Sequence, residues 1–467
     1  MPWLRGPAPY PPEWQWGFRP EGPAHPLWAA AACALALLAF LAASFLAAAR
    51  HRPRAVAAAL VVASVTLGSV FPVVLLAREP DSPLLALMER SLSPYRTSYH
   101  TVAVSPAARD PLAFLRAHAA LLPELTHTAK HAATHPPGPV LFYRAALGAC
   151  EAWPALTRAL RVAGARSRLA PEKAVKHASA LLGDLLLVLL GSLTAWPLAR
   201  LGQRLGLSPL EAARVALLWA LVPGPALMTP QFDQALALPV VAAVLCLVRA
   251  AQAGSPSGRG VWSVLAGAWG AAAIFSSYGA AAFLAIGGGA ALLTAAVPSR
   301  AGGHRLRRAI TIAATATGVS GLLAFGLPAA LGHEALRALR TALAIHHATY
   351  TAPRSYALWL AFDPLDFSLL LGLPVAVLTA WRAAASARRL VSGRSLLPLA
   401  RFGLAAVVGV AMLVLSGTTR GEVGRIWIPL MPLLLLDAAA GLDGPATIAL
   451  GLLQAALTLT LGAFWSV

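Results

Sequence analysis

The sequence predicts an all-α polytopic membrane protein, with about 12 transmembrane helices and a helical external loop subdomain. Three observations predict it. Hydrophobic residues make up 58% of the 467 positions and charged residues only 12%, against ~25% charged in a soluble globular chain. So small a charged share cannot cover a soluble body of this size, which excludes a soluble enzyme. Mean hydropathy is +0.68, and Ala, Leu and Val gather in uncharged runs near the ~20 residues a helix needs to cross a bilayer. Between these runs, Arg residues recur in every second connection.

Taken in order, residues 1–27 read as an arm rich in Pro and Trp, with Trp3, Trp14 and Trp16 suited to the lipid interface. Windows 28–49 and 55–77 are the first two spans. The first ends in Arg50-His51-Arg52-Pro53-Arg54 rather than a small-residue cleavage site, so it is an anchor and not a signal peptide. Residues 78–176 are too long for a structureless loop in a compact protein and read as a helical subdomain. Spans follow at 177–199, 209–226, 233–250, 262–277, 279–297 and 309–331. A second long loop at 332–365 precedes spans at 366–382, 401–417, 425–440 and 445–465. Pro223-Gly224-Pro225 marks a break in one span. It has no counterpart in another half of the chain, where an inverted-repeat transporter would place one.

The net charge of +19 raises the question of nucleic acid. Its distribution answers it. One set of connections holds Arg50, Arg52 and Arg54; Arg200 and Arg204; Arg249 and Arg259; Arg300, Arg305, Arg307 and Arg308; and Arg382, Arg388, Arg389, Arg394 and Arg401, with no acid among them. By the positive-inside rule these are cytoplasmic. Both termini and the two long loops then lie on the outer side of a plasma membrane. The charge is a topology signal, and no nucleic-acid partner is expected. Cys33, Cys150 and Cys246 are scattered, with neither a disulfide framework nor a zinc-binding spacing.

Polar residues concentrate in the two long loops, which hold eight of the 12 histidines: His100, His118, His127, His131, His135, His333, His346 and His347. A carrier would place polar groups at membrane depth instead. In the first loop, Asp110-Pro111 opens a helix over 110–124. An interfacial helix is expected over 139–162, with Leu141, Phe142 and Tyr143 on one side and Arg144, Arg158 and Arg161 on the other. Between them stands His135-Pro136-Pro137-Gly138. A residue before proline is pushed out of the α region, so His135 sits at a stiff break. That break either presents a functional imidazole or simply ends a helix. The spacing His127, His131, His135 suits three metal ligands or a polar face against headgroups.

Later in the chain, Arg420-Gly421-Glu422-Val423-Gly424-Arg425 crowds three charges into one turn. This is either an anion site or a membrane-edge turn with snorkelling arginines. Arg354 is a further cation near Tyr350, Tyr356 and Trp359, aromatics that serve to stack on a sugar or to sit in the interface belt. Asp184 lies inside the third span and must be paired, protonated or part of a cavity. Asp233 opens the fifth span, where the helix dipole favours an acid and a site-lining role is equally open.

The order of Asp110, the Phe114-Leu115-Arg116 segment and Thr134-His135-Pro136-Pro137-Gly138 resembles the first external loop of the GT-C glycosyltransferase superfamily. The protein-mannosyltransferase and aminoarabinose-transferase types are the most similar. Phe232-Asp233, Phe275-Ser276-Ser277-Tyr278-Gly279 and the 420–427 turn resemble later family segments, so the likeness spans most of 80–440. The resemblance implies sugar transfer from a polyprenyl-phosphate donor to a glycan, lipid or protein acceptor on the outer face. It implies Asp110 as general base, with Asp81 as its rival, and His135 placing phosphate or acceptor. Arg420, Arg425 and Arg354 would hold the donor phosphate, with Glu422, Asp233, His131 and Tyr356 around the substrate. No cofactor is required by it, and a divalent Mg or Mn ion is compatible with it.

Overall fold

The computed structural model describes residues 26–48, 52–79, 81–164, 171–295 and 302–464. The 1–25 part of the expected arm, with Trp3, Trp14 and Trp16, lies outside these, as do Arg50 and Arg300. Among the described residues, regular structure is helical throughout. Proline sets many of the starts: Pro53, Pro83, Pro111, Pro154, Pro209 and Pro256 each open a helix, where the missing N–H has no intrahelical partner to lose. Ser208 and Glu211 close a reciprocal capping box on the Pro209–Trp219 helix.

Among the described residues seven helices are long and apolar enough to cross a membrane, and up to eight if one bent pair is a single span. The other expected windows take different forms. Three fall on shorter apolar stretches, Ala32–Ala43, Ala280–Thr294 and Ile428–Ala438. Window 262–277 lies in the Pro256–Ser276 helix. Window 366–382 is not one straight span. It straddles a 114° bend between Tyr356–Leu371 and Leu373–Val391, made where Gly372 takes φ +95°, a conformation a Cβ would strain. The 332–365 loop is itself mostly helical, with Ala335–His346 followed by a π-helical turn at His347–Thr351. Pro223-Gly224-Pro225 does break its span, which divides into Pro209–Trp219 and Pro223–Leu227.

The 78–176 segment is a set of helices: Pro83–Leu92, Tyr99–Ala103, Pro111–Thr128, Lys130–Ala133, Gly138–Ala152 and Pro154–Ala163. The expected interfacial helix is broken at Trp153-Pro154, because Pro154 can start a helix but not continue one. In its first half Val140, Tyr143, Ala146 and Leu147 are buried. Asp184 is the pin beneath it. Its Oδ1 accepts hydrogen bonds from Ser91 Oγ at 2.6 Å and Tyr143 Oη at 2.8 Å. The carboxyl is fully enclosed, so the helical segment is tied to the Pro171–Leu193 helix by an inward polar contact. Among the described residues no cation pairs with Asp184, and two hydroxyls are its hydrogen-bond partners.

The Phe232–Gln252 helix is the axis of the bundle. In its most apolar stretch 78% of residues are buried, against 22% in Leu306–Ala330 and Pro398–Ser416 at the periphery. With 21 residues it is ~30 Å long. Its last turn meets the Arg-rich connections: Gln252 donates to the Arg204 carbonyl, Arg308 to the Ala250 and Ala253 carbonyls, and Arg249 lies 4.4 Å over Trp262. Its first turn, carrying Asp233, is therefore at the opposite end of the bundle.

Candidate active site

At that opposite end lies a cavity of about 210 Å³. The helical segment contributes Tyr99, His131, Thr134 and His135; the axial helix contributes Asp233. Ser277 and Tyr278 form one wall, and His346, Tyr350 and Arg354 another. The 418–427 turn supplies Arg420, Glu422 and Arg425.

Local structure fixes the His-Pro-Pro-Gly segment. His135 Nδ1 donates to the His131 carbonyl at 2.8 Å. Ser98 holds a left-handed conformation at φ +51° and its Oγ accepts the Ala132 N–H at 3.1 Å. Gly138 is seated against the Phe275 carbonyl with no room for a Cβ, so the motif's glycine is required by a close helix approach. Tyr99 meets the His135 ring edge-on at 5.4 Å.

The facing turn is equally constrained. Gly417, Gly421 and Glu422 all have φ between +57° and +83°. Among the described residues Ser98 and Glu422 are the two non-glycine residues of positive φ; Glu422 lines this cavity, and Ser98 precedes Tyr99, which does. Such strain persists where surrounding structure holds it, often at functional sites. Here the hold is visible. Asp363 accepts the Gly421 N–H at 2.9 Å, and Asp366 accepts the Gly424 N–H at 2.8 Å. Arg420 donates to the carbonyls of Gly417, Thr351 and Arg354 while its guanidinium lies 5.4 Å from the Tyr356 ring. Arg354 donates to the Arg420 carbonyl in return.

Arg425 is the electrostatic centre. It pairs with Glu422 at 2.7 Å and with Asp233 at 3.8 Å, and donates to Gln231 Oε1 at 3.3 Å. Arg354 reaches Glu422 from the other side at 3.7 Å. The Arg425 guanidinium, with lesser help from Arg354, draws the Glu422 carboxyl below its usual range against the opposing effect of burial. Burial opposes the Arg425 charge, but Glu422 and Asp233 outweigh it and hold that charge firmly. Burial first, then the neighbouring charges, push His135 down to about 3 and His131 down to about 4. The guanidiniums of Arg354, Arg420 and Arg425 line the cavity together with the carboxyl groups of Glu422 and Asp233.

Seven of the expected site residues thus meet in one cavity: His135, His131, Arg420, Glu422, Arg425, Arg354 and Asp233. Three do not. Asp110 was expected to join His135 and Arg420; instead it caps the Pro111–Thr128 helix, its Oδ1 accepting the N–H groups of Leu112 and Ala113 at 2.8 and 3.2 Å, outside the cavity. Asp81 is exposed in the turn before Pro83 and also outside it. Tyr356 does not face the cavity. Its hydroxyl donates to the Leu415 carbonyl and its ring backs Arg420. The helical face of His127, His131 and His135 is not formed, because the helix breaks at Ala129. Among the described residues no group of three or more His, Cys, Asp or Glu is placed to hold a metal ion.

Sequence reading missed Asp363 and Asp366. The signal was present, two acids three apart in an apolar helix and hence on one face. It also missed Tyr99 and Ser98, for which the sequence carried no signal. The chain matches none of the protein-family models, curated proteins or solved structures it was compared with.

Proposed function

We propose that this protein is a membrane glycosyltransferase of GT-C type, which moves a sugar from a polyprenyl-phosphate donor to a glycan, lipid or protein acceptor on the outer face of the plasma membrane. The observation that carries the reading is the cavity itself. Arg354, Arg420 and Arg425 converge on it, and it lies at the bundle end remote from the Arg-rich connections. Cations that stabilise a departing phosphate are what such a transfer needs. By the positive-inside rule, that end is the outer one.

A second feature supports a lipid-borne donor. An apolar groove of about 870 Å³ runs between the Ala280–Ala295 and Pro398–Ser416 helices and shares Ala282 and Leu413 with the cavity. A phosphate in the cavity and a hydrocarbon chain in the groove fit one molecule with a charged head and an apolar tail. Tyr278, Ser277 and Tyr350 offer ring faces and hydroxyls to a sugar. The bent pair, the shorter apolar helices and Pro256–Ser276 make up about twelve crossings in this reading.

The rival reading, a flippase for a lipid-linked substrate, needs a polar track across the bundle. The groove beneath the cavity is walled by Ala285, Ile286, Val408 and Met412 instead. The test is consumption of a radiolabelled polyprenyl-phosphate sugar by the purified protein in proteoliposomes, with membrane extract as acceptor source and with and without a chelator. Free polyprenyl phosphate should accumulate. Donor left intact with every acceptor and with added Mg or Mn, or donor moved between leaflets without cleavage, overturns the proposal.

A further inference from the structure

We infer that His135, through Nε2, takes the proton from the acceptor hydroxyl, while Asp233 and Glu422 orient the arginines. This rests on the transferase reading above.

The tautomer is fixed by geometry. The His131 oxygen that His135 Nδ1 meets at 2.8 Å is a carbonyl and can only accept, so Nδ1 carries the proton and Nε2 presents a lone pair. Nε2 has no hydrogen-bond partner among the described residues and is not among their enclosed, unpartnered polar atoms. His135 lines the cavity, so this nitrogen opens onto it. The imidazole is held on several sides: by the stiff Pro136-Pro137 pair, by the edge of Tyr99, and by the His131 carbonyl. Such a nitrogen is a poor phosphate ligand, because it has no proton to give. It is a ready acceptor for a hydroxyl.

The two cavity carboxylates are differently placed. Glu422 lies between Arg425 and Arg354, and Asp233 lies against Arg425. Glu422, held between two cations, is a weakened proton acceptor, and Asp233 is engaged with Arg425. The charged and titratable groups that line the cavity with His135 are His131 and Tyr99 from its own segment, Arg420, Glu422 and Arg425 from the turn, Asp233 from the axial helix, Tyr278, and His346, Tyr350 and Arg354. With the cavity empty, burial, His131, Arg425 and His346 hold the imidazole neutral. A donor phosphate beside it adds negative charge and favours the protonated form.

The step balances. The acceptor O–H bond breaks, with its proton passing to Nε2. The acceptor oxygen bonds the anomeric carbon. The bond from that carbon to the phosphate oxygen breaks, and its electron pair leaves on the phosphate between Arg425 and Arg354. The imidazolium then gives its proton to the departed phosphate monoester, whose second pKa is ~6.

The test compares His135→Asn, which keeps an N–H donor near the Nδ1 position, with His135→Gln. Polyprenyl phosphate binding, read by intrinsic tryptophan fluorescence, should stay within about threefold for both, with kcat for sugar transfer down ~100-fold and little change in the donor KM. In the parental protein the acid limb of kcat/KM should lie below about pH 5, and that of kcat should lie higher. Parental kcat in His135→Asn, or an acid limb in kcat/KM at the ordinary histidine value of 6.5, overturns the assignment. A collapse of kcat with intact donor binding in Asp233→Asn alone also overturns it. A parental protein that consumes no donor sinks the transferase reading together with this one; a parental protein that turns over beside an equally active His135→Asn sinks this one alone.

Discussion

Replacing Arg425 by Gln removes the cation on which the cavity's two carboxylates converge. Glu422 is 43% exposed at its side chain and keeps Arg354 at 3.7 Å, so its loss is screened and small. Asp233 is only 14% exposed, and Arg425 is its one ion-pair partner among the described residues. It is left as an uncompensated buried charge. Breaking a buried pair in this way costs about 3–5 kcal/mol; the 3.8 Å separation places the expected loss at the lower end. On the proposed transferase reading, the same change also removes a charge-assisted contact to the donor phosphate, about 1.5–3 kcal/mol, or about 10- to 150-fold in affinity. Two measurements separate the effects: thermal unfolding in detergent, and polyprenyl phosphate binding. The double variant Arg425→Gln with Asp233→Asn should regain stability by about 1–3 kcal/mol through the coupling of neighbours. It should regain none of the phosphate affinity. An Arg425→Gln protein as stable as its parent, or a double variant that binds phosphate normally, refutes the ion-pair argument.

Gly138→Ala should destabilise by about 1–3 kcal/mol, the usual cost of overpacking, because its methyl meets the Phe275 carbonyl. Gly148→Ala, with open space around it, should be neutral or gain about 0.5–1 kcal/mol from helix propensity; equal unfolding curves for the two would contradict the packing. Asp110→Asn should leave sugar transfer and stability near parental, since Asn also caps helices, whereas Asp110→Ala should cost ~1 kcal/mol in stability alone. Abolished turnover in Asp110→Asn would restore it as the base. His135 and His131 have folded values lowered to about 3 and about 4 from an ordinary 6.5. The unfolded chain then binds more protons, so stability is fully present above pH 6.5 and is lost as pH falls toward 3–4. An apparent Tm that does not fall between pH 6.5 and 4, or falls equally in His135→Asn, would contradict their burial as neutral imidazoles.

Several parts of this protein were legible one window at a time. Composition and apolar runs determine an all-helical, membrane-type chain, because the number of charged residues sets how much surface can face water. Arg placement separates two ends of the bundle, and proline positions mark helix starts and the 223–225 break. His135-Pro136-Pro137-Gly138 declares a rigid presentation, since local sterics alone fix it. Other properties depend on what is adjacent in space. The capture of the 420–425 turn by Asp363 and Asp366 requires contacts across 58 residues of sequence. Asp110 shows the limit most clearly. Its spacing from His135 resembled that of a catalytic pair, yet the N–H groups of Leu112 and Ala113 are nearer and always available, and the carboxylate caps its own helix. Gln231, at the start of the axial helix beside Asp233, is 194 residues from Arg425, and only packing of that helix brings Asp233 to Arg425. The sequence determined which residue types this membrane protein keeps polar. The tertiary structure decided which of them share a cavity, because buried charges and backbone donors take their partners by distance in space and not along the chain.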